Sequence, residues 1–308
     1  MNLKKLIKIN CDMSEIRKQS VFKNRYLPYV LIAPQIIITL IFFMWPSVQA
    51  VYQSFMVTDA FGLKSEFVWF DNFVRVLSDE LYHESLKITL IFSTSVTVLA
   101  MGVSLLLALF ADHVLRAKKI YQLLLTWPYA LAPPVAAALW IMMFQPGLGV
   151  ISIALENIGI EWNYYIDATK ALILVIVISA WTQVGYNFVF FLAGLQMIPK
   201  SLIEAAAIDG AGPVRRLWSV VLPLLTPTIF FLLVMNIVSA FFGTFGIIDV
   251  VTSGGPGNST NILIYKLYVD GFKGLDLSGS AVQSVILMLI VGGLTFIQFK
   301  YLERKVHY

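Results

Sequence analysis

The sequence predicts an all-α membrane protein with six transmembrane helices, and three observations carry that prediction. The 308-residue chain is 58% hydrophobic and only 13% charged, with a mean hydropathy of +0.80. A soluble domain carries about a quarter charged residues, so this composition excludes one; aromatic residues at 14% likewise exclude a disordered chain. Second, the charges are clumped. No Asp, Glu, Lys or Arg occurs in 26–58, 88–111, 120–155, 171–199, 217–248 or 277–299. Each gap holds at least the ~20 residues a helix needs to cross ~30 Å of hydrocarbon. Third, the segments between the gaps alternate in charge. Sixteen of the 22 basic residues fall in 1–25, 112–122, 192–222 and 300–308, while 12 of the 18 acidic residues fall in the other three loops.

Backbone polar groups in lipid must be satisfied within their own segment, so each gap should hold a helix. The helices are expected near 27–45, 88–111, 123–144, 171–191, 223–245 and 281–299. A membrane β-barrel needs alternating segments of about ten residues rather than long apolar runs. The basic bias places both termini in the cytoplasm. The first apolar run is followed by Trp45-Pro46 rather than a small-residue cleavage site, so it reads as a span and not a cleaved signal. Pro34, Pro128, Pro133, Pro134, Pro223 and Pro227 lie within or at the ends of spans, where an interior proline frees a carbonyl and kinks the helix. Residues 1–25 form a basic cytoplasmic tail, and 26–308 a transmembrane domain with its core at about 85–300. Cys11 excludes an intramolecular disulfide and any multi-cysteine metal site. His83, His113 and His307 are too scattered for a catalytic or metal cluster, so no catalytic or metal residue is assigned.

The loop between spans four and five is the most specific feature. Ser201 with Glu204 has the spacing of a capping box, and Ala205 to Ala207 favour helix. Gly210 and Gly212 permit a tight turn, Asp209 is placed to cap a second helix, and Pro213 suits that helix's first turn. Leu222-Pro223 marks re-entry into the bilayer. The result is a helix–turn–helix on the cytoplasmic membrane face, with Leu202, Ile203 and Ala206 on an exposed apolar side. Residues alone leave open whether it is a plain connector or a lever for a cytoplasmic partner.

The run Glu204-Ala205-Ala206-x-x-Asp209-Gly210-Ala211, followed by Leu222-Pro223, resembles without departure the loop of ABC importer permeases of the binding-protein-dependent type. Tyr26-Leu27-Pro28-Tyr29, Ala33-Pro34, Trp45-Pro46, Asp71-Asn72-Phe73, Pro128-Tyr129 and Ser253-Gly254-Gly255-Pro256 are similar to the maltose-type sugar branch. Within that branch, Ser201–Pro213, Thr252–Pro256, Ile264–Asp276 and Ala281–Ser284 are most similar to permeases of sn-glycerol-3-phosphate importers. The resemblance implies a permease in a bacterial inner membrane. It would form half of a translocation pathway for sn-glycerol-3-phosphate or glycerophosphodiesters, with a maltose-like oligosaccharide as the alternative solute.

The resemblance also implies partners: a second permease, two copies of an ATPase that bind ATP and Mg, and a solute-binding protein outside. The loop would dock into a cleft of the ATPase. This chain lacks a Gly-x-x-x-x-Gly-Lys-Ser/Thr phosphate cradle, so it is expected to hold no cofactor and to hydrolyse nothing; nucleic acid is not a partner. A secondary carrier would need ionisable residues at midplane or an inverted repeat, and neither is evident.

Candidates for lining a pathway are Gln183, Tyr186 and Asn187 in span four, Asn236, Ser239 and Thr244 in span five, and Gln283 and Ser284 in span six. Helical spacing puts Gln183 with Asn187, and Asn236 with Ser239, on shared faces. Interhelical hydrogen bonding explains the same residues equally well. Ser253 to Asn258 is too rich in Gly and Pro for a helix and lies outside, where a binding protein would dock.

Overall fold

The computed structural model describes residues 26–58, 65–113 and 118–302. The tail 1–25, with Cys11, and the residues after 302, with His307, lie outside the described residues. The chain divides into two compact units, Met1–Tyr52 and Gln53–Tyr308.

The described part of the first unit is one apolar helix, α1, within Leu27–Ser54, whose last residues belong to the second unit. At 28 residues and 1.5 Å per residue it is about 42 Å long, more than one bilayer core. It runs beyond the expected 27–45 because it continues through Trp45-Pro46. Leu40–Met44 is wound as a π-helix just before Pro46, and such a wide turn accommodates the missing donor of a proline without ending the helix.

The second unit opens with a two-stranded antiparallel hairpin, β1 (Met56–Thr58) and β2 (Ser65–Phe67). Helix α2 (Asp71–Leu77) follows. Its buried Asn72 donates through Nδ2 to the carbonyls of Ser54 (3.1 Å) and Met56 (2.9 Å), pinning the strand to the helix. The second span is α3 (Glu80–His113). Helix α4 (Lys118–Thr126) and α5 (Pro133–Phe144) come next, then α6 (Val150–Asn157) and the fourth span, α7 (Ala168–Met197). Asp167 caps α7 by accepting from the backbone of Thr169 and Lys170, and the hydrogen bond from Lys170 holds its carboxyl below the usual range.

The helix expected near 123–144 is broken, at prolines expected to kink it. α4 tightens into a 3-10 turn at Trp127–Ala130, Leu131 and Ala132 are extended, and α5 leaves at 102° to the preceding segment. Pro133 forces its predecessor out of the helical region, and Pro133 with Pro134 supplies two residues that cannot donate backward. Both suit a helix start, where those donors are unpaired anyway. Ile120–Ala130 and Pro133–Phe144 thus form a bent pair, beside five helices among the described residues that are long and apolar enough to cross a membrane.

After α7 come α8 (Lys200–Ile208) and α9, which occupies Pro213–Phe242. The loop 246–280 carries α10 (Phe245–Val251) and α11 (Leu263–Tyr268). Between them, Ser253, Gly254, Gly257 and Asn258 take positive φ, which bears out a non-helical Gly/Pro turn. The last span is α12 (Leu277–Ile297), capped by Asp276 on the Gly279 N–H.

α3 and α7 pack along much of their length, and α9 packs on both. Phe92, Val96, Leu174 and Ile178 fill one core; Ala108, Phe188, Leu192, Leu225 and Leu232 fill a second. Small residues permit the close crossings. Gly194 lies where a Cβ would come within 2.8 Å of Leu225 and Thr228 side chains.

In the loop 246–280, Lys266 is buried. It pairs with Asp270 (2.9 Å) and Asp79 (3.2 Å), and Gln283 donates to the same Asp270 oxygen (2.7 Å). Burial works against the ammonium charge, but the bonds and charges of Asp270 and Asp79 outweigh it and raise the lysine pKa. A raised folded pKa means this stabilisation is complete below the unfolded lysine value of about 10.4. It is lost only as pH climbs through the folded value. Lys266→Met leaves two carboxylates facing each other and is expected to cost about 3–5 kcal/mol. Thermal midpoints from pH 7 to 11 check this: the gap between parent and variant holds constant to about pH 10 and begins to narrow above it.

Candidate functional site

The site is built at the junction of α7, α8 and α9. Ile198 is extended (φ −71°, ψ 123°) because Pro199 follows it, and α8 starts at Lys200 with Pro199 as its cap residue. Ser201 therefore sits inside the helix, and the expected capping box is absent, because proline rather than serine occupies the cap. Nor does Asp209 cap the second helix. It ends the first one, and Gly212 is the cap residue ahead of Pro213.

The turn itself closes by a paired pattern of backbone bonds. The Gly210 N–H reaches the Ala207 carbonyl (3.1 Å) and the Ala211 N–H reaches that of Ala206 (3.0 Å). This is the Schellman arrangement, which needs a left-handed residue after the helix; Gly210 supplies it with φ +80°. Leu217–Val221 is again a π-turn just ahead of a proline, Pro223.

The hairpin has two faces. Ile203 packs against the core cluster of Leu195, Val221 and Leu225, and Ala206 is half-buried. Leu202 is exposed as expected, but the outward apolar position is Ile208, 87% exposed. Ile203 points inward because the ends of α7 and α9 converge beneath it, a contact that sequence spacing does not reveal. Glu204, Ala205 and Asp209 are exposed, and neither carboxylate has an ion-pair partner among the described residues.

Directly above the hairpin, α7 and α9 are joined by a polar seam. Asn187 and Asn236 are wholly buried and exchange reciprocal amide hydrogen bonds of 2.9 and 2.7 Å. Asn236 also donates to the Leu232 carbonyl (2.7 Å), and Gln183 donates to the Ser239 hydroxyl. Tyr186 stacks between Tyr129 (5.2 Å) and Phe190 (4.8 Å). Three further candidates lie apart from the seam: Thr244, the cap residue ahead of α10, bonds the Ala240 carbonyl of α9, Ser284 bonds Ser280, and Gln283 belongs to the Lys266 cluster. Lys266 and Asn72 escape a sequence reading, because one looks like an ordinary loop lysine and the other like a helix-start residue.

Replacing Asn187 by Leu strands the Asn236 amide in an apolar interior and is expected to destabilise by about 1–3 kcal/mol. The double variant Asn187→Leu/Asn236→Leu removes both partners and should recover most of that loss. Unfolding of the three variants in detergent reads the difference.

The protein belongs to the family of binding-protein-dependent transport system inner membrane components, matched over residues 100–308. It is thus a transport subunit and not itself catalytic. It is 57% identical to the sn-glycerol-3-phosphate transport system permease protein UgpA of Rhizobium meliloti (strain 1021), covering 94% of this chain and 98% of that one. It is 56% identical to the protein of the same name from Agrobacterium fabrum, with the same coverage. In fold it is similar to a bacterial ABC transporter involved in the import of the acidic polysaccharide alginate, with a TM-score of 0.78 at 23% identity over 91% of this chain and 96% of that one.

Proposed function

We propose that this chain forms half of the pathway by which sn-glycerol-3-phosphate, or glycerophosphodiesters, enter the cell, driven by ATP hydrolysis in separate subunits. The observation that carries the reading is the 57% identity to a UgpA permease over 94% of the chain. Its partners are a second permease (UgpE-like), two copies of an ABC ATPase (UgpC-like) that bind ATP and Mg, and an external solute-binding protein (UgpB-like). Both termini are cytoplasmic on the basic-residue bias.

In this reading α8 is the handle. Glu204 and Asp209 present unpaired charge to the ATPase, while Ala205 and Ala206 allow close approach. Gly210, Ala211, Leu222 and Pro223 hold the turn and the re-entry. Motion of α8 reaches α7 and α9 together, because Gln183, Asn187, Asn236 and Ser239 tie them. Tyr186 and the seam amides flank the pathway, with Thr244, Gln283 and Ser284 towards its outer end.

Ionised side chains occur only towards the ends of the spans, outside the charge-free gaps. The phosphate is then met by hydroxyls, amides and helix ends, or by a cation of the second permease, or its recognition is left to the binding protein. Moving each negative charge inward against an inside-negative potential costs about 2.3 kcal/mol per 100 mV, a need that ATP hydrolysis meets. The test is ATPase activity of the reconstituted assembly with its binding protein. sn-Glycerol-3-phosphate should stimulate turnover and maltodextrin should not; the reverse result would replace the solute.

A further inference from the structure

A cavity of about 350 Å³ lies behind α8, walled by Leu109, Leu195, Ile203, Leu217 and Val221. That is within the about 300–1,000 Å³ range of ligand sites, and its lining is almost wholly apolar. Two charged groups also line it, Arg216 and Asp112. Arg216 Nε is buried without an acceptor among the described residues, and Arg216 and Asp112 do not pair with each other within 4.0 Å. A buried donor left unmade is costly, so the cavity asks for an anion at Arg216 and tolerates a cation at Asp112. The cavity wall continues into Phe110 and Val214, both exposed, and Trp218, next in sequence to the lining residue Leu217, is exposed too. Trp and Arg together mark a membrane–water interface.

We propose that this cavity binds one membrane phospholipid with a primary-ammonium headgroup, of the phosphatidylethanolamine type. An acyl chain fills the apolar slot, the phosphate takes the Arg216 donor, and the headgroup ammonium faces Asp112. A phosphatidylglycerol headgroup brings the same phosphate but no cation to face Asp112, and a choline headgroup offers that carboxylate no N–H donor. Because Ile203 of α8 forms one wall, the lipid props the hairpin against α3 and α9 and sets its resting position. The proposal is independent of which solute is carried.

The test is lipid retention by the assembled complex, measured by native mass spectrometry after exposure to equal amounts of phosphatidylethanolamine, phosphatidylglycerol and phosphatidylcholine. Phosphatidylethanolamine should be retained preferentially, one per copy of this chain. Arg216→Gln should weaken retention roughly tenfold, and Leu109→Trp, which fills the slot, should abolish it. Asp112→Asn, at an exposed position, should shift the preference towards phosphatidylglycerol and serves where the slot-filling variant does not assemble. Equal retention of the three lipids, or retention unchanged by both Arg216→Gln and Asp112→Asn, overturns the proposal. So does a cysteine at Val214 that cross-links to the ATPase while no lipid is retained, since a protein surface then covers the cavity.

Discussion

Chains carrying Glu204→Lys or Gly210→Pro are expected to insert and assemble their spans normally yet lose solute-stimulated ATP turnover entirely. The two substitutions act differently. Glu204 is exposed and has no ion-pair partner within the described residues, so its reversal costs the fold little. It sets like charge against any basic group on the ATPase, and a buried interfacial charge pair broken in this way costs about 2–5 kcal/mol. Gly210 acts through the backbone. Its φ of +80° is closed to proline, which is locked near −65°, and the substitution removes the N–H that reaches Ala207. No heavy atom lies within 4 Å of a Cβ at this position, so Gly210→Ala meets only conformational strain, about 1–2 kcal/mol. It should retain part of the activity. That graded series, with protein amount in the membrane measured alongside, separates a lever from a connector: normal transport by the lysine and proline variants would leave the hairpin without a coupling role.

Gly185→Leu should have the opposite profile, with the fold failing before function can be read. Gly185 is buried where α7 crosses α4, and a Cβ there falls on the Leu125 carbonyl oxygen and within 2.9 Å of Thr126 Cα. Both neighbours are backbone, so no side-chain rotation relieves the clash, and α4 must move as a unit. Overpacking by a methyl or two costs about 1–3 kcal/mol; a leucine exceeds that and displaces the bent span. Gly194→Ala is the comparison, because its nearest neighbours, in Leu225 and Thr228, are side-chain atoms that can shift. Thermal midpoints in detergent should fall far more for Gly185→Leu than for Gly194→Ala.

The contrast between these glycines illustrates what the sequence carries. The charge-free gaps located the spans because lipid forbids unpaired charge over a contiguous stretch, a local rule. It failed to mark the break at Pro133-Pro134, since a broken apolar segment is as free of charge as an intact one. The turn at Gly210 was legible from residue type alone. The capping roles of Ser201 and Asp209 were not, because Pro199 caps α8 two residues ahead of Ser201 and Gly212 caps the second helix three residues after Asp209. The pairing of Asn187 with Asn236, the contact of Gly185 with Leu125 and the burial of Lys266 all join residues distant in the chain. One sequence gives no signal for which helix faces which.

The claim on which the account depends is that α8 is a cytoplasmic handle held by a separate motor. Ile208, its most outward apolar residue, is the position to probe. A cysteine there, in a chain with Cys11 replaced by serine, should react with a membrane-impermeant thiol reagent only from the cytoplasmic side. It should cross-link to the ATPase in the assembled complex and lose that reactivity when the ATPase is bound. Labelling from the outer side, or full labelling with the ATPase in place, would contradict the account.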